Sequence, residues 1–277
     1  MKSNTLNLEN YAAHLLLIFF ALTALLPLSL VLINSFKEHS EVVRNPLALP
    51  TVLNLNNFAL AWEYGKFGRG FINSIILSGT SVITVLFCSS LAGYVLAGKK
   101  IRTWPIIMIY FMVALTVPIQ LFLFPLYFAF VQLHLLGSLV AVGVVIAAIN
   151  MPLSVFLMRS FFLGVPIELE EAARIDGATT NQVLRFVMFP LVAPGFITVA
   201  VIVGLQSWNE YLISSTFLQG QSNFTATLGF LSMNGTYTVN QGVMMAGAVI
   251  MIAPVIIFFV AVQRYFVDGL ISGALKG

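Results

Sequence analysis

"TWPIIMIYFMVALTVPIQLFLFPLYFAFVQLHLLGSLVAVGVVIAAINMPLSVFLM", residues 103–158, runs for 56 residues without a charged side chain. A helix needs about 20 apolar residues to cross roughly 30 Å of hydrocarbon, so this interval is too long for one span and long enough for two. His134, Gly137 and Ser138 interrupt it near its centre, which predicts two helices joined by a tight hairpin. Spanning strands are excluded by the pattern. Barrel strands alternate in polarity over about 10 residues, whereas "IIMIYFMVAL" and "AVGVVIAAI" are apolar on both parities.

The rest of the 277-residue chain has the same character. Charged side chains make up 8% of it and hydrophobic ones 59%, with a mean hydropathy of +0.98; soluble domains carry about 25% charge. Four further charge-free intervals, 10–36, 70–98, 186–209 and 211–263, each hold room for a span. The last is polar from Ser214 to Gly242 and continuously apolar from Val243 to Val262. The expected fold is an all-α membrane protein of six transmembrane helices, at about 12–34, 71–97, 105–132, 139–158, 187–209 and 243–263. Leu15 to Ile33 exceeds the apolar core of a cleaved signal, so a retained first helix is expected.

Lys and Arg near the ends of short loops set orientation. With six spans both termini share a side, which then holds Lys2, Lys99, Lys100, Arg102, Arg159, Arg174, Arg185, Arg264 and Lys276, against Lys37, Arg44, Lys66 and Arg69 opposite. Nine against four puts both termini in the cytoplasm. The sole cysteine, Cys88, lies inside the second span and is read as a packing residue.

One segment contradicts the apolar theme. Residues 159–185 carry Arg159, Glu168, Glu170, Glu171, Arg174, Asp176 and Arg185. At about 2.5–3.5 kcal/mol per charge at a helix centre, burying seven in lipid would cost roughly 20 kcal/mol, so this segment stays in water. Its local signals are still helical. Pro166 suits a helix start, the glutamates complement the positive end of the dipole, and Gly177 suits the residue after a helix end. Thr179 or Thr180 can cap a second helix running into the fifth span. On the first helix Leu169, Ala172, Ala173 and Asp176 share a stripe. Two readings fit that stripe: a surface for another protein's side chains, or an amphipathic helix resting on headgroups or closing the bundle.

"EAARIDGATTNQVLRFVMFPLVAP", residues 171–194, resembles the EAA signature of binding-protein-dependent ABC importers: Glu-Ala-Ala, three residues, Gly, nine residues, then Ile-x-Leu-Pro. Glu171, Ala172, Ala173, Gly177 and Pro190 match with the spacing intact, while Val187 and Phe189 replace the usual Ile and Leu. "NNFALAW" (56–62), "RSFFLGVPIELEEAA" (159–173), "WNEYL" (208–212) and "QRYFVDGLISGALKG" (263–277) resemble the carbohydrate, maltose-permease-like branch of that family. The resemblance implies a type I ABC importer transmembrane domain with a cytoplasmic EAA coupling loop. Its core would occupy 71–265, after an N-terminal helix and extracytoplasmic loop at 1–70 and before a cytoplasmic tail at 266–277. Glu171, Ala172, Ala173, Asp176 and Gly177 would form the surface that docks on a cytoplasmic ATPase.

The implied partners are two ABC ATPase subunits, a second homologous permease, an extracytoplasmic solute-binding protein and the bilayer of a bacterial or archaeal inner membrane. No nucleic acid is expected. The chain has no Walker A sequence, so ATP and Mg belong to the ATPases and no cofactor is expected on this chain. The implied cargo is a sugar or oligosaccharide, with a polyol or glycerol phosphate as the alternative. Trp208, Asn209 and Glu210 carry two readings, an interfacial anchor at the end of the fifth span or the border of the translocation path, where an aromatic face beside amide and carboxylate suits a sugar. The tail likewise is either solvated or in reach of the ATPases.

Rival functions have little to stand on. His14, His39 and His134 are in separate segments, no H-E-x-x-H or G-x-S-x-G occurs, and no aspartate pair lies within a span. A secondary transporter would keep ionisable residues inside its spans, and only Glu210 approaches one.

Overall fold

The structure is a computed structural model describing residues 8–98, 101–236 and 240–274. Lys2, Lys99, Lys100, Lys276 and the side chain of Arg264, used for orientation, lie outside the described residues, as does the tail from 275 to 277. Among the described residues the chain is helical, without strands. In order the α-helices are α1 Leu8–Asn34, α2 His39–Arg44, α3 Asn56–Tyr64, α4 Phe67–Ala97, α5 Trp104–Thr116, α6 Leu123–Gln132 and α7 Leu139–Leu163. There follow α8 Ile167–Ile175, α9 Thr180–Val183, α10 Phe189–Leu191, α11 Ala193–Trp208, α12 Leu212–Phe217, α13 Ala226–Thr236 and α14 Gln241–Ala274.

Among the described residues four helices are long and apolar enough to span a bilayer: Ala13–Asn34 in α1, then α4, α7, and Gln241–Gln263 in α14. Two more spans exist if each of two bent pairs counts as one, giving up to six. The first pair bends by 90° between Trp104–Thr116 and Ile119–Gln132. Val117 there is extended (ψ 118°), as a residue before proline prefers, and Pro118 opens a 3-10 turn, Ile119–Phe122. The second pair bends by 73° between Thr180–Leu191 and Ala193–Trp208. A π-helical turn, Leu184–Met188, precedes Pro190, and Pro194 follows the break. The inserted residue of the π turn and the two missing proline donors together interrupt the ladder. Pro27, Pro152 and Pro254 sit inside helices that continue through them. The hairpin expected near His134 is present: His134 and Gly137 both have positive φ (54° and 82°), and the Ser138 hydroxyl caps α7 by accepting from Ala141 N.

The chain divides into two compact units, Met1–Phe67 with Phe230–Pro254, and Gly68–Gly229 with Val255–Gly277. In the first, the side chains of α1 from Leu15 to Leu28 are exposed on every face, the surface a lipid-facing helix presents. Its C-terminal end is tied down by Lys37, which is fully buried: Nζ donates to Asn34 Oδ1 (2.9 Å) and to the carbonyls of Asn45 (2.9 Å) and Pro46 (3.4 Å). Asn57 Nδ2 donates to the carbonyls of Ser35 and Lys37, fastening α3 to the same turn.

In the second unit α4 and α7 run parallel. At one end Ser81 Oγ donates to Gly143 O (2.8 Å), and a Cβ on Gly143 would stand 2.9 Å from Leu77 O. At the other a Cβ on Gly93 would stand 2.9 Å from Arg159 N. Small residues allow this approach, which lipid alone would not drive. Each end carries a core. One gathers Val85, Tyr94, Met158, Phe162, Val183 and Met188; the other Leu77, Phe130, Val142, Ile146, Ile213 and Phe217.

Gly143→Ala is expected to lower the detergent melting temperature by several degrees, because overpacking a fitted contact costs about 1–3 kcal/mol. Gly79→Ala, on the same helix pair's α4 where a Cβ would meet nothing within 4 Å, should be neutral. Equal melting of the two variants would mean that the α4–α7 approach is not limiting.

Candidate functional site

The charged insert folds as expected, as helix, glycine turn and helix. Pro166 is the N-cap of α8 with extended ψ (132°), one residue earlier than the helical position its sequence suggests, and Glu168 and Glu170 occupy the first turn. The end of α8 is a Schellman closure: Ala178 N donates to Ala173 O (3.0 Å) and Gly177 N to Arg174 O (3.1 Å), with Gly177 at φ +84°. A Cβ at Gly177 would meet nothing within 4 Å, so glycine is required here for its dihedral angle and not for space. Thr179 then caps α9 through a full capping box with Gln182, Gln182 N to Thr179 Oγ1 (3.4 Å) and Thr179 N to Gln182 Oε1 (2.8 Å).

The two faces of α8 are chemically distinct. Outward lie Glu171, Ala172, Asp176 and Gly177, all exposed. Ile175 joins them at 85% exposure, with Ile167 and Leu169 also open. Ala173 differs from the other four residues of the expected docking surface: it is half-buried and packs on the core that contains Tyr94 and Met158. Inward, Tyr94 of α4 donates to Glu170 Oε1 (2.9 Å), and Arg174 donates to the same oxygen from Nε (3.2 Å) and Nη2 (2.9 Å). The hydrogen bond to Glu170 first, and that to Tyr94 second, hold the Arg174 guanidinium above its ordinary pKa, so it is charged at any pH the loop meets.

At the opposite end of α11, Trp208 stacks on Phe71 (centroids 6.0 Å apart, planes at 21°), and its carbonyl accepts from Thr227 Oγ1 (2.9 Å). Two buried polar atoms here, Trp208 Nε1 and Ser207 Oγ, have no hydrogen-bond partner among the described residues. Ser207 is 2% exposed. Asn209 is exposed and turns its amide back to Leu205 O (2.9 Å). Glu210 is committed locally: its carboxylate accepts from Ile213 N (2.6 Å), Ser214 N (2.8 Å) and Ser214 Oγ (2.7 Å) at the start of α12. Between the two groups of residues singled out by sequence the chain runs through α9, the π turn, the 73° bend and then α11, which is about 24 Å long for 16 residues at 1.5 Å rise. No group of three metal-ligating side chains occurs among the described residues.

Sequence reasoning passed over Ile175 and Tyr94. An isoleucine at the last position of a charged helix, followed by Asp and Gly, was the available signal for the first. Nothing local signals the second, which lies 76 residues from its partner Glu170.

Residues 88–272 match the family described as "Binding-protein-dependent transport system inner membrane component". The arabinooligosaccharides transport system permease protein AraQ of Halalkalibacterium halodurans is 33% identical, with 100% of each chain covered. The melibiose/raffinose/stachyose import permease protein MelC of Bacillus subtilis is 31% identical over 91% of each chain. The fold is that of a solved chain from a bacterial ABC transporter importing the acidic polysaccharide alginate, with a TM-score of 0.79 and 23% identity over 96% of this chain and 99% of that one. The EAA spacing, the helical architecture and these matches agree: the chain belongs to the family of inner-membrane components of binding-protein-dependent transport systems, and its work is transport rather than catalysis.

Proposed function

We propose that this chain is one permease subunit of an ATP-driven importer of a sugar or oligosaccharide, with residues 71–265 forming half of the translocation pathway. A second, homologous permease supplies the other half. Two cytoplasmic ATPases bind ATP and Mg, a solute-binding protein delivers cargo on the far side, and both termini lie with the EAA loop in the cytoplasm. The carbohydrate assignment is supported by relatives named for arabinooligosaccharides, for melibiose, raffinose and stachyose, and for starch degradation products.

The observation that carries the docking assignment is the outward face of α8. Ile175 stands 85% exposed beside Ala172 and Asp176, with Ile167 and Leu169 of the same helix also open. Small Ala172 permits close approach, Ile175 supplies apolar area to bury, and Glu171 and Asp176 offer carboxylates to a basic rim. ATP-driven closure of the ATPases draws the coupling loops together and opens the cavity outward; hydrolysis resets it. At the other end Trp208 stacks on Phe71, and its buried N–H has no acceptor among the described residues, a donor that a sugar hydroxyl would satisfy when the site opens.

Two outcomes are expected. Ile175→Asp should reduce ATPase recovery on purification of the complex by about 10- to 100-fold, since burying such a side chain is worth about 1.5–3 kcal/mol; membrane insertion should be unaffected, and wild-type recovery would sink the docking assignment. Trp208→Phe keeps the stack on Phe71 and removes only the N–H, so the apparent KM of sugar uptake should rise about 2- to 12-fold, the equivalent of one hydrogen bond of 0.5–1.5 kcal/mol. An unchanged KM would remove Trp208 from the path.

A further inference from the structure

The outward face of α8 can transmit force only if the helix is fixed to the bundle, and a nine-residue helix between a proline and a glycine turn has little apolar surface with which to fix itself. Of its side chains only Ala173 packs on the core. The attachment is polar instead. Tyr94 is 4% exposed, sits one turn from the end of α4, and makes an edge-to-face contact with Phe162 of α7 (centroids 5.7 Å, planes at 69°). Its ring therefore belongs to the core that joins α4 and α7, while its hydroxyl reaches out to Glu170 of α8. The Glu170 side chain is 14% exposed although its helix lies on the surface. Arg174 closes the set, pairing with Glu170 one turn away, donating from Nη2 to the Tyr94 hydroxyl (3.4 Å) and from Nη1 to Thr180 Oγ1 on α9 (3.4 Å). One group thus touches three elements, and the Arg174–Thr180 contact bridges the Gly177 turn.

We infer that Tyr94, Glu170 and Arg174 form a polar strut that fixes the docking face of α8 to α4 and α9, making Tyr94 and Glu170 positioning residues for coupling. The inference rests on the docking assignment above. Glu170 faces Tyr94 on the inner side and Arg174 lies at the margin, 40% exposed, while Glu171, Ala172, Ile175 and Asp176 are exposed: the outer set binds, the inner conveys. Displacing α8 keeps the Glu170–Arg174 pair but breaks the bond from the buried Tyr94 hydroxyl to Glu170, a charge-assisted contact whose loss costs more than that of the Ala173 contact.

The test uses the complete transporter in lipid nanodiscs and proteoliposomes. Cys88 on α4 is native and exposed, and Glu168→Cys places a second label on α8 outside both the strut and the docking face. Spin-label distances between the two should form a narrow distribution that broadens about twofold in Tyr94→Phe and in Glu170→Ala. ATPase subunits should remain bound in both variants. Import of arabinotriose, raffinose or maltotriose per ATP hydrolysed should fall about 5- to 20-fold. A strut further requires that the double variant be no worse than the more impaired single one, since the two residues serve one connection. An unchanged distance distribution with an unchanged import-to-hydrolysis ratio in Tyr94→Phe overturns the strut. Failure of the docking assignment reads out differently, as full ATPase recovery with Ile175→Asp in an otherwise wild-type chain.

Discussion

The close approach of α4 to α7 is the contact on which the larger compact unit depends. In water, apolar faces would be driven together by burial; in lipid the tails are as apolar as the side chains, and helices associate through fit and hydrogen bonding. Gly143 and Gly93 supply the fit at positions where a Cβ would stand 2.9 Å from backbone of the partner helix, and Ser81 adds a hydrogen bond to Gly143 O. The two cores follow from this pairing. Residues of α4 and α7 contribute Tyr94, Met158 and Phe162 to one and Leu77, Val142 and Ile146 to the other, and residues of α6, α9, α11 and α12 in the same unit complete them.

Against that platform the chain must bend where it leaves the regular helix. Both breaks combine proline with a second device: an extended residue before Pro118, and a π turn before Pro190. Prolines without a second device, Pro27, Pro152 and Pro254, leave their helices continuous. A single lost hydrogen bond is tolerable when the surrounding helix is long and packed or lipid-covered, so proline alone marks a weak point and the neighbouring residues decide whether it opens.

How much of this was legible in the sequence follows from the range of each interaction. The hairpin at His134, the α8 helix, the glycine turn and the Thr179 cap are local, involving residues within about five positions, and the sequence carries their signals directly. The apolar segments were readable for the same reason, four of them single spanning helices and two of them bent pairs, although the 90° and 73° bends were not measurable from composition. What escaped is long-range or depends on facing. Ala172 and Ala173 look equivalent in sequence, yet it is Ala173 that turns to the core, on the same side of α8 as Glu170, which accepts from Tyr94. Glu210 reads in sequence as an anchor or a path residue; its carboxylate also serves the backbone of α12, a use that an acid three and four residues before Ile213 and Ser214 signals only once that short helix is known.

The loop and the candidate sugar contact share one element. α11 begins at the bend after the π turn, where a Cβ on Gly195 would stand 2.6 Å from the Phe161 ring of α7, and ends at Trp208 against Phe71 of α4. Displacement of α9 reaches α11 through this bend. It must either change the angle at the bend or carry the helix with it, and about 24 Å away the carried end is the one bearing the unsatisfied Ser207 hydroxyl and Trp208 indole N–H. Buried polar atoms without partners are costly in a static core. They are less so at a position whose neighbours change during a transport cycle, which is the change the proposed coupling would deliver to the far end of α11.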